Sequence, residues 1–175
     1  MKRALLSVFD KTGITKLAQF LHENNIEIVS TGGTKKVIED FGIPVTSVSE
    51  VTSFIDVMDG RVKTLHPAIF GGILVDQDNT KHVDDLNRLK GKPFDLIVIN
   101  LYPFYEESIL KEKSIQESID YIDIGGPSML RAAAKNYQHV IALSNIEQYD
   151  NFISEYKINS GNFSVNDRVK YANEV

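Results

Sequence analysis

The sequence predicts an α/β fold, a mainly parallel sheet with helices on both faces. Three observations point there. Short apolar runs alternate along the chain with stretches of helical periodicity. Asp95–Leu101 is apolar on both faces, as the central strands of parallel sheets are. And 175 residues, 42% hydrophobic and 25% charged, suffice to bury one full core, so residues 1–175 read as a single domain.

The elements follow in order. Ala4–Phe9 reads as a buried strand, and Asp10–Gly13 as a turn in which Thr12 caps a helix over Ile14–Asn24. Ile26–Ser30 is a second strand, running into Thr31-Gly32-Gly33-Thr34 and a helix over Lys35–Phe41 that Gly42 and Pro44 stop. Val45–Val48 is a short third strand, and Gly72–Val75 is expected as another. Asp84–Lys90 reads as a helix ended by Gly91 and Pro93. After the strand Asp95–Leu101 come helices over Ile115–Tyr121 and Pro127–Asn136, a strand over His139–Leu143 and a helix over Ile146–Tyr156. The closing stretch from Asn166 reads as the start of a helix, and Val169, Ala172 and Val175 have nothing to follow them, which suggests a piece of a longer protein. In parallel sheets ligands bind at the carboxyl ends of strands. Phe9-Asp10-Lys11, Thr31 to Thr34 and Asn100-Leu101-Tyr102 all fall at such ends.

Composition narrows the function. A net charge of −5 argues against broad attraction to nucleic acid or to anionic membranes. There is no cysteine, hence no disulfide framework and no thiolate site. The histidines at 22, 66, 82 and 139 show no metal-ligand spacing, so no metal is expected. No apolar run resembles a signal peptide or a membrane span, and a cytoplasmic location is expected.

Two segments hold more chemistry than packing needs. Gly60-Arg61-Val62-Lys63-Thr64-Leu65-His66-Pro67 gathers two cations, a hydroxyl and an imidazole into one turn, as an anion-holding loop would. Lys63 could serve there as a base or acid, while His66 fits a structural role better. Asp123-Ile124-Gly125-Gly126 precedes a helix and either caps it or turns backbone N–H groups toward an oxyanion. Arg131 and Lys135 share a face of that helix. The Thr31–Thr34 turn is either a plain tight turn or a phosphate cradle with Lys11 beside it. Asn100 and Tyr102 either read a base or carboxamide or, for Tyr102, form an amphipathic rim. No Walker loop or GxGxxG is present.

Read together, Leu6–Gly13, Ser30–Thr34, Gly60–Pro67, Asn100–Phe104 and Asp123–Asn136 resemble the IMP cyclohydrolase domain of the bifunctional purine-biosynthesis enzyme that is also an AICAR formyltransferase. The resemblance implies a three-layer α/β/α fold of the methylglyoxal-synthase-like type. It implies ring closure of formyl-AICAR to IMP with loss of water, without metal or cofactor; 10-formyltetrahydrofolate would serve only the absent formyltransferase domain. It implies a homodimer acting on a small-molecule nucleotide. Lys135 would be the main proton donor and acceptor, with Lys63, Tyr102 and Asp123 as catalytic company. Phe9, Asp10, Lys11, Thr31, Gly32, Gly33 and Thr34 would contact substrate, with Arg61, Val62, Thr64, Ile99 and Asn100. The N–H groups of Ile124 and Gly125 would stabilise the developing oxyanion.

The family usually has serine where Phe9 stands. One neutral hydrogen bond is worth roughly 0.5–1.5 kcal/mol, so Phe9→Ser is expected to tighten nucleotide binding slightly. Two other readings remain on the same fold. One is a methylglyoxal synthase using Asp59, Asp123 and His66; the other is a regulatory nucleotide-binding module.

Overall fold

The computed structural model describes residues 1–55, 57–58 and 62–175. Its five strands are β1 (Arg3–Val8), β2 (Glu27–Ser30), β3 (Thr46–Ser47), β4 (Leu96–Asn100) and β5 (Ile141–Leu143). They form one sheet in the order β3-β2-β1-β4-β5, and every pair is parallel. β1 is central, with Leu5 opposite Val29 on one side and Ile97 on the other.

Alternation along β1 explains the layers, because successive side chains leave opposite faces. Ala4, Leu6 and Val8 enter one core with Leu17 and Leu21 of α1 (Ile14–Glu23), Ile38 of α2 (Gly32–Asp40), Phe152 of α8 (Gln148–Ile158) and Tyr171 of α9 (Val165–Asn173). Leu5, Ile97 and Ile99 enter the other with Ile69 and Ile73 of α4 (Pro67–Leu74) and Met129 and Ala133 of α7 (Gly125–Lys135). The result is the expected three-layer α/β/α arrangement. Burying each large aliphatic side chain contributes about 1.5–3 kcal/mol, so these two cores rather than the surface pairs hold the sheet. The described residues also form α3 (Val48–Thr52), α5 (Thr80–Arg88), a π-helical turn (Tyr105–Ile109) and α6 (Ile115–Ile119).

Several expectations need correction. Gly72–Val75 is not a strand: residues through Leu74 belong to α4, which starts at Pro67 with the His66 Nδ1 accepting the Ala68 N–H at 3.1 Å. An all-apolar run does not distinguish a buried strand from a buried helix. Gly72 is required there by close approach, since a Cβ would lie 2.5 Å from the Lys92 carbonyl oxygen. Thr12 does not cap α1; Gly13 occupies that place at φ 74 with no side-chain bond. Residues 139 and 140 stay out of β5 because the Asn136 carbonyl accepts both the His139 and Val140 N–H groups. Gly32, Gly33 and Thr34 are already the first turn of α2, and α5 begins at Thr80 behind the Asn79 cap.

Candidate active site

Beyond Val8 the chain must turn over the carboxyl edge of the sheet, and two side chains fix how it does so. Thr34 Oγ1, buried, accepts the Val8 N–H at 3.0 Å and donates to the Val8 carbonyl at 3.0 Å. Asn100, ending β4, accepts the Phe9 and Asp10 N–H groups at 2.7 and 2.8 Å and donates back to the Asp10 carbonyl at 2.8 Å. Asp10 in turn accepts the Thr12 N–H at 2.8 Å, and that bond holds its carboxyl below the usual carboxylate range. The ammonium of Lys11 folds onto the Val8 and Phe9 carbonyls at 3.0 and 2.8 Å and lies beside Gly33. Ser7 and Thr31 place their hydroxyls 3.2 Å apart at the floor between β1 and β2.

Across from this edge runs the loop that carries Lys63 and Thr64. Lys63 Nζ stands 3.7 Å from where a Cβ on Gly32 would be, and buried Thr64 Oγ1 stands 2.6 Å from the same point on Gly125. Two consecutive residues therefore span two glycine-rich helix starts. Unpaired N–H groups and the helix dipole make each start favourable to negative charge. Among the described residues no hydrogen bond is taken from the Ile124 or Gly125 N–H. Between the two starts lies a cavity of ≈ 1000 Å³.

Tyr102 and Asp123 form its other wall. The Tyr102 ring packs on Phe9 at 4.8 Å and meets Tyr121 edge-on at 6.1 Å. Lys113 donates to the Tyr121 hydroxyl and also lies over that ring. Asp123 Oδ1 accepts the Gly126 N–H at 2.9 Å.

The structure thus brings most of the expected residues to one cavity: Phe9, Lys11, the Thr31–Thr34 stretch, Lys63, Thr64, Asn100, Tyr102, Asp123, Ile124 and Gly125 all line it. Others are placed differently. Lys135 is exposed at the far end of α7, ten residues past Gly125 and about 15 Å along the axis at 1.5 Å per residue, and it does not line the cavity. Asn100 lines the cavity, but its oxygen is occupied by the Phe9–Asp10 loop, so it shapes the site more than it reads a base. Ile99 is 1% exposed and belongs to the second core. Val62 pairs with Val57 in an isolated bridge and lies outside the cavity wall. Asp10 faces a smaller neighbouring hollow instead. The Gly126 N–H, one of the expected oxyanion donors, is taken by Asp123. Arg61 lies outside the described residues, as does Asp59.

Ser7 and Met129 also line the cavity, and sequence reading passed over them. A lone hydroxyl in the apolar run of β1 was a usable signal for Ser7. Nothing in the sequence marked the contact between Tyr121 and Tyr102.

An α/β domain with a cavity between two glycine-rich helix starts at the carboxyl edge of its parallel sheet is the class that fold and site define. Residues 13–128 match the model of the MGS-like domain, and the chain belongs to that family. Over its whole length it is 49% identical to a bifunctional purine biosynthesis protein PurH of Clostridium acetobutylicum and 47% identical to one of Clostridium botulinum (strain Loch Maree / Type A3). In each case it covers 35% of the relative, so the chain spans about a third of the length of these proteins. The crystal structure of ForH superimposes with a TM-score of 0.82 at 30% identity, over 99% of this chain and 90% of that one.

Proposed function

We propose that this chain is an IMP cyclohydrolase, closing formyl-AICAR to IMP with loss of water, as one part of a bifunctional purine-biosynthesis protein. One observation carries the reading: Lys63 and Thr64 bridge two separate glycine-rich helix starts across one cavity. A nucleotide whose ring is closing has two foci of negative charge, its phosphate and the oxyanion at the reacting carbon. The site offers two matching foci.

In this reading the phosphate sits at the start of α2, against Lys11, Lys63 and the Thr31 hydroxyl. The imidazole carboxamide extends toward Tyr102 and Asp123. The carboxamide nitrogen attacks the formyl carbon, forming the new C–N bond. Negative charge builds on the formyl oxygen, where the N–H groups of Ile124 and Gly125 stabilise it. One proton leaves the carboxamide nitrogen and one leaves the formamide nitrogen. Both end on the former formyl oxygen, which departs as water as the C=N bond forms. Lys63, Tyr102 and Asp123 carry these transfers; among the described residues no hydrogen bond engages Asp123 Oδ2, the cap using Oδ1. Lys135 is too far along α7 to join them within one chain. The substrate brings its own reacting groups together, so orientation and charge stabilisation supply most of what remains.

The reading includes a cytoplasmic homodimer and a ring closure that uses neither metal nor cofactor. Among the described residues no helix is long and apolar enough to cross a membrane. The test is the ultraviolet absorbance of the purified chain mixed with formyl-AICAR. Appearance of the purine chromophore at an enzyme-dependent rate supports the proposal. A rate equal to the uncatalysed one, with IMP still bound, replaces it with a nucleotide-binding module.

A further inference from the structure

The cavity occupies the carboxyl edge of the sheet; a second constellation lies at the opposite edge. Asp76 and Asp78 follow the end of α4, and His139 precedes β5. Far apart in sequence, the three each present one ligand atom, and these atoms all lie within 4.8 Å of one another. His139 Nε2 is 3.1 Å from Asp76 Oδ1. The histidine side chain is 15% exposed, whereas that of Asp76 is 44% exposed.

Asn136 holds the two halves together. Its Nδ2 donates to the Ile73 and Val75 carbonyls at 2.8 and 2.9 Å, fixing the chain that leads into Asp76. Its own carbonyl accepts the His139 N–H at 3.0 Å, fixing the other side. The Asp76 N–H is directed to His82 Nδ1 at 3.4 Å, and Asp76 Oδ1 also accepts the Asp78 N–H at 3.0 Å. The backbone at Asp76 and His139 and the Asp76 carboxylate are thus held in place.

We propose that Asp76, Asp78 and His139 bind a first-row divalent metal ion of the zinc type. Metal–ligand bonds of about 2.1 Å in tetrahedral or octahedral geometry put neighbouring ligand atoms about 3.0–3.4 Å apart. The separation of Asp76 and His139 already has that value, and the exposed Asp78 side chain, whose ligand atom lies within 4.8 Å of both, completes the set by rotating toward them. One imidazole with two carboxylates suits zinc or cobalt; magnesium and calcium favour all-oxygen sets. Three protein ligands leave positions for water, and the ion ties the end of α4 to the entry of β5. None of these residues lines the cavity, so the site is independent of ring closure.

The test is calorimetric titration of the untagged, chelator-stripped chain with zinc chloride, and in parallel with magnesium chloride. One zinc per chain is expected, with no magnesium uptake at the same concentration. His139→Ala and the exposed-site variant Asp78→Asn should each weaken zinc binding at least tenfold, and zinc should raise the Tm of the parent chain but of neither variant. Absence of zinc uptake would overturn the proposal and leave His139 and Asp76 as a simple ion pair. So would zinc binding unchanged in either folded variant, or magnesium binding as tightly as zinc.

Discussion

The two walls of the cavity are built differently. The wall formed by β1, β2 and the start of α2 stands on largely buried strands, and hydrogen bonds to Thr34 and Asn100 fix its loop. The wall formed by the segment between β4 and α7 contains the π-helical turn and α6, which pack mainly on each other. That segment leaves Ile115 84% exposed and Leu110 63% exposed. Local stability follows buried contacts, so the first wall should open only with the whole fold and the second on its own. The half of the site built on β1, β2 and α2 is a frame, and the half carrying Tyr102 and Asp123 is free to adjust.

The comparison can be broken by touching each wall. Gly125→Ala places a Cβ 2.6 Å from Thr64 Oγ1 and pushes the loop off the start of α7. Displacement of that order costs about a hundredfold in turnover, with Tm nearly unchanged; steady-state kinetics and a melting curve check both halves of the statement. In the frame, Thr34→Val leaves the buried Val8 N–H without its partner and should destabilise the fold by about 2 kcal/mol, read by denaturant titration. Equal effects of the two variants on Tm would erase the distinction between the walls.

Phe9 joins the walls, and there the expectation from sequence sharpens. Phe9→Ser should still tighten IMP binding slightly, by about two- to tenfold from the worth of one hydrogen bond. It also removes the ring against Tyr102, so kcat should fall while KM falls or holds; a rise in both would contradict the ring's positioning role. The smallest effect concerns α6. The Ser114 hydroxyl and N–H hold the Glu117 carboxyl below the usual carboxylate range. A depressed carboxylate stabilises above its unfolded pKa, and that contribution is lost as pH falls through the folded value. Amide protection in α6 should therefore drop on acidification through and below the usual carboxylate range before that of β1 and β4, after correction for intrinsic exchange.

Much of the frame was legible because buried parallel strands leave short apolar runs, as in β1, β2 and above all β4. The cavity-lining residues at the ends of β1 and β2 were legible for a related reason: glycines and hydroxyls at strand ends have few packing roles. α4 was not, because its apolar residues surround the whole helix and two glycines interrupt it. The π-helical turn at Tyr105–Ile109 carries no periodic signal, and the trio Asp76, Asp78 and His139 exists only once two chain segments meet. Lys135 shows the limit of motif reading. A motif places a lysine on a helix, but only the direction of α7 shows that it leaves the cavity.

The most direct test is the ring-closure rate of Lys63→Ala and Lys135→Ala side by side with the parent chain, followed by absorbance at saturating formyl-AICAR. If chemistry resides where the two helix starts meet, Lys63→Ala loses at least about a hundredfold in kcat, the scale of one general acid or base, and Lys135→Ala stays within about threefold. Loss of turnover in Lys135→Ala with Lys63→Ala near the parent rate would contradict the account and move the reacting centre away from this cavity.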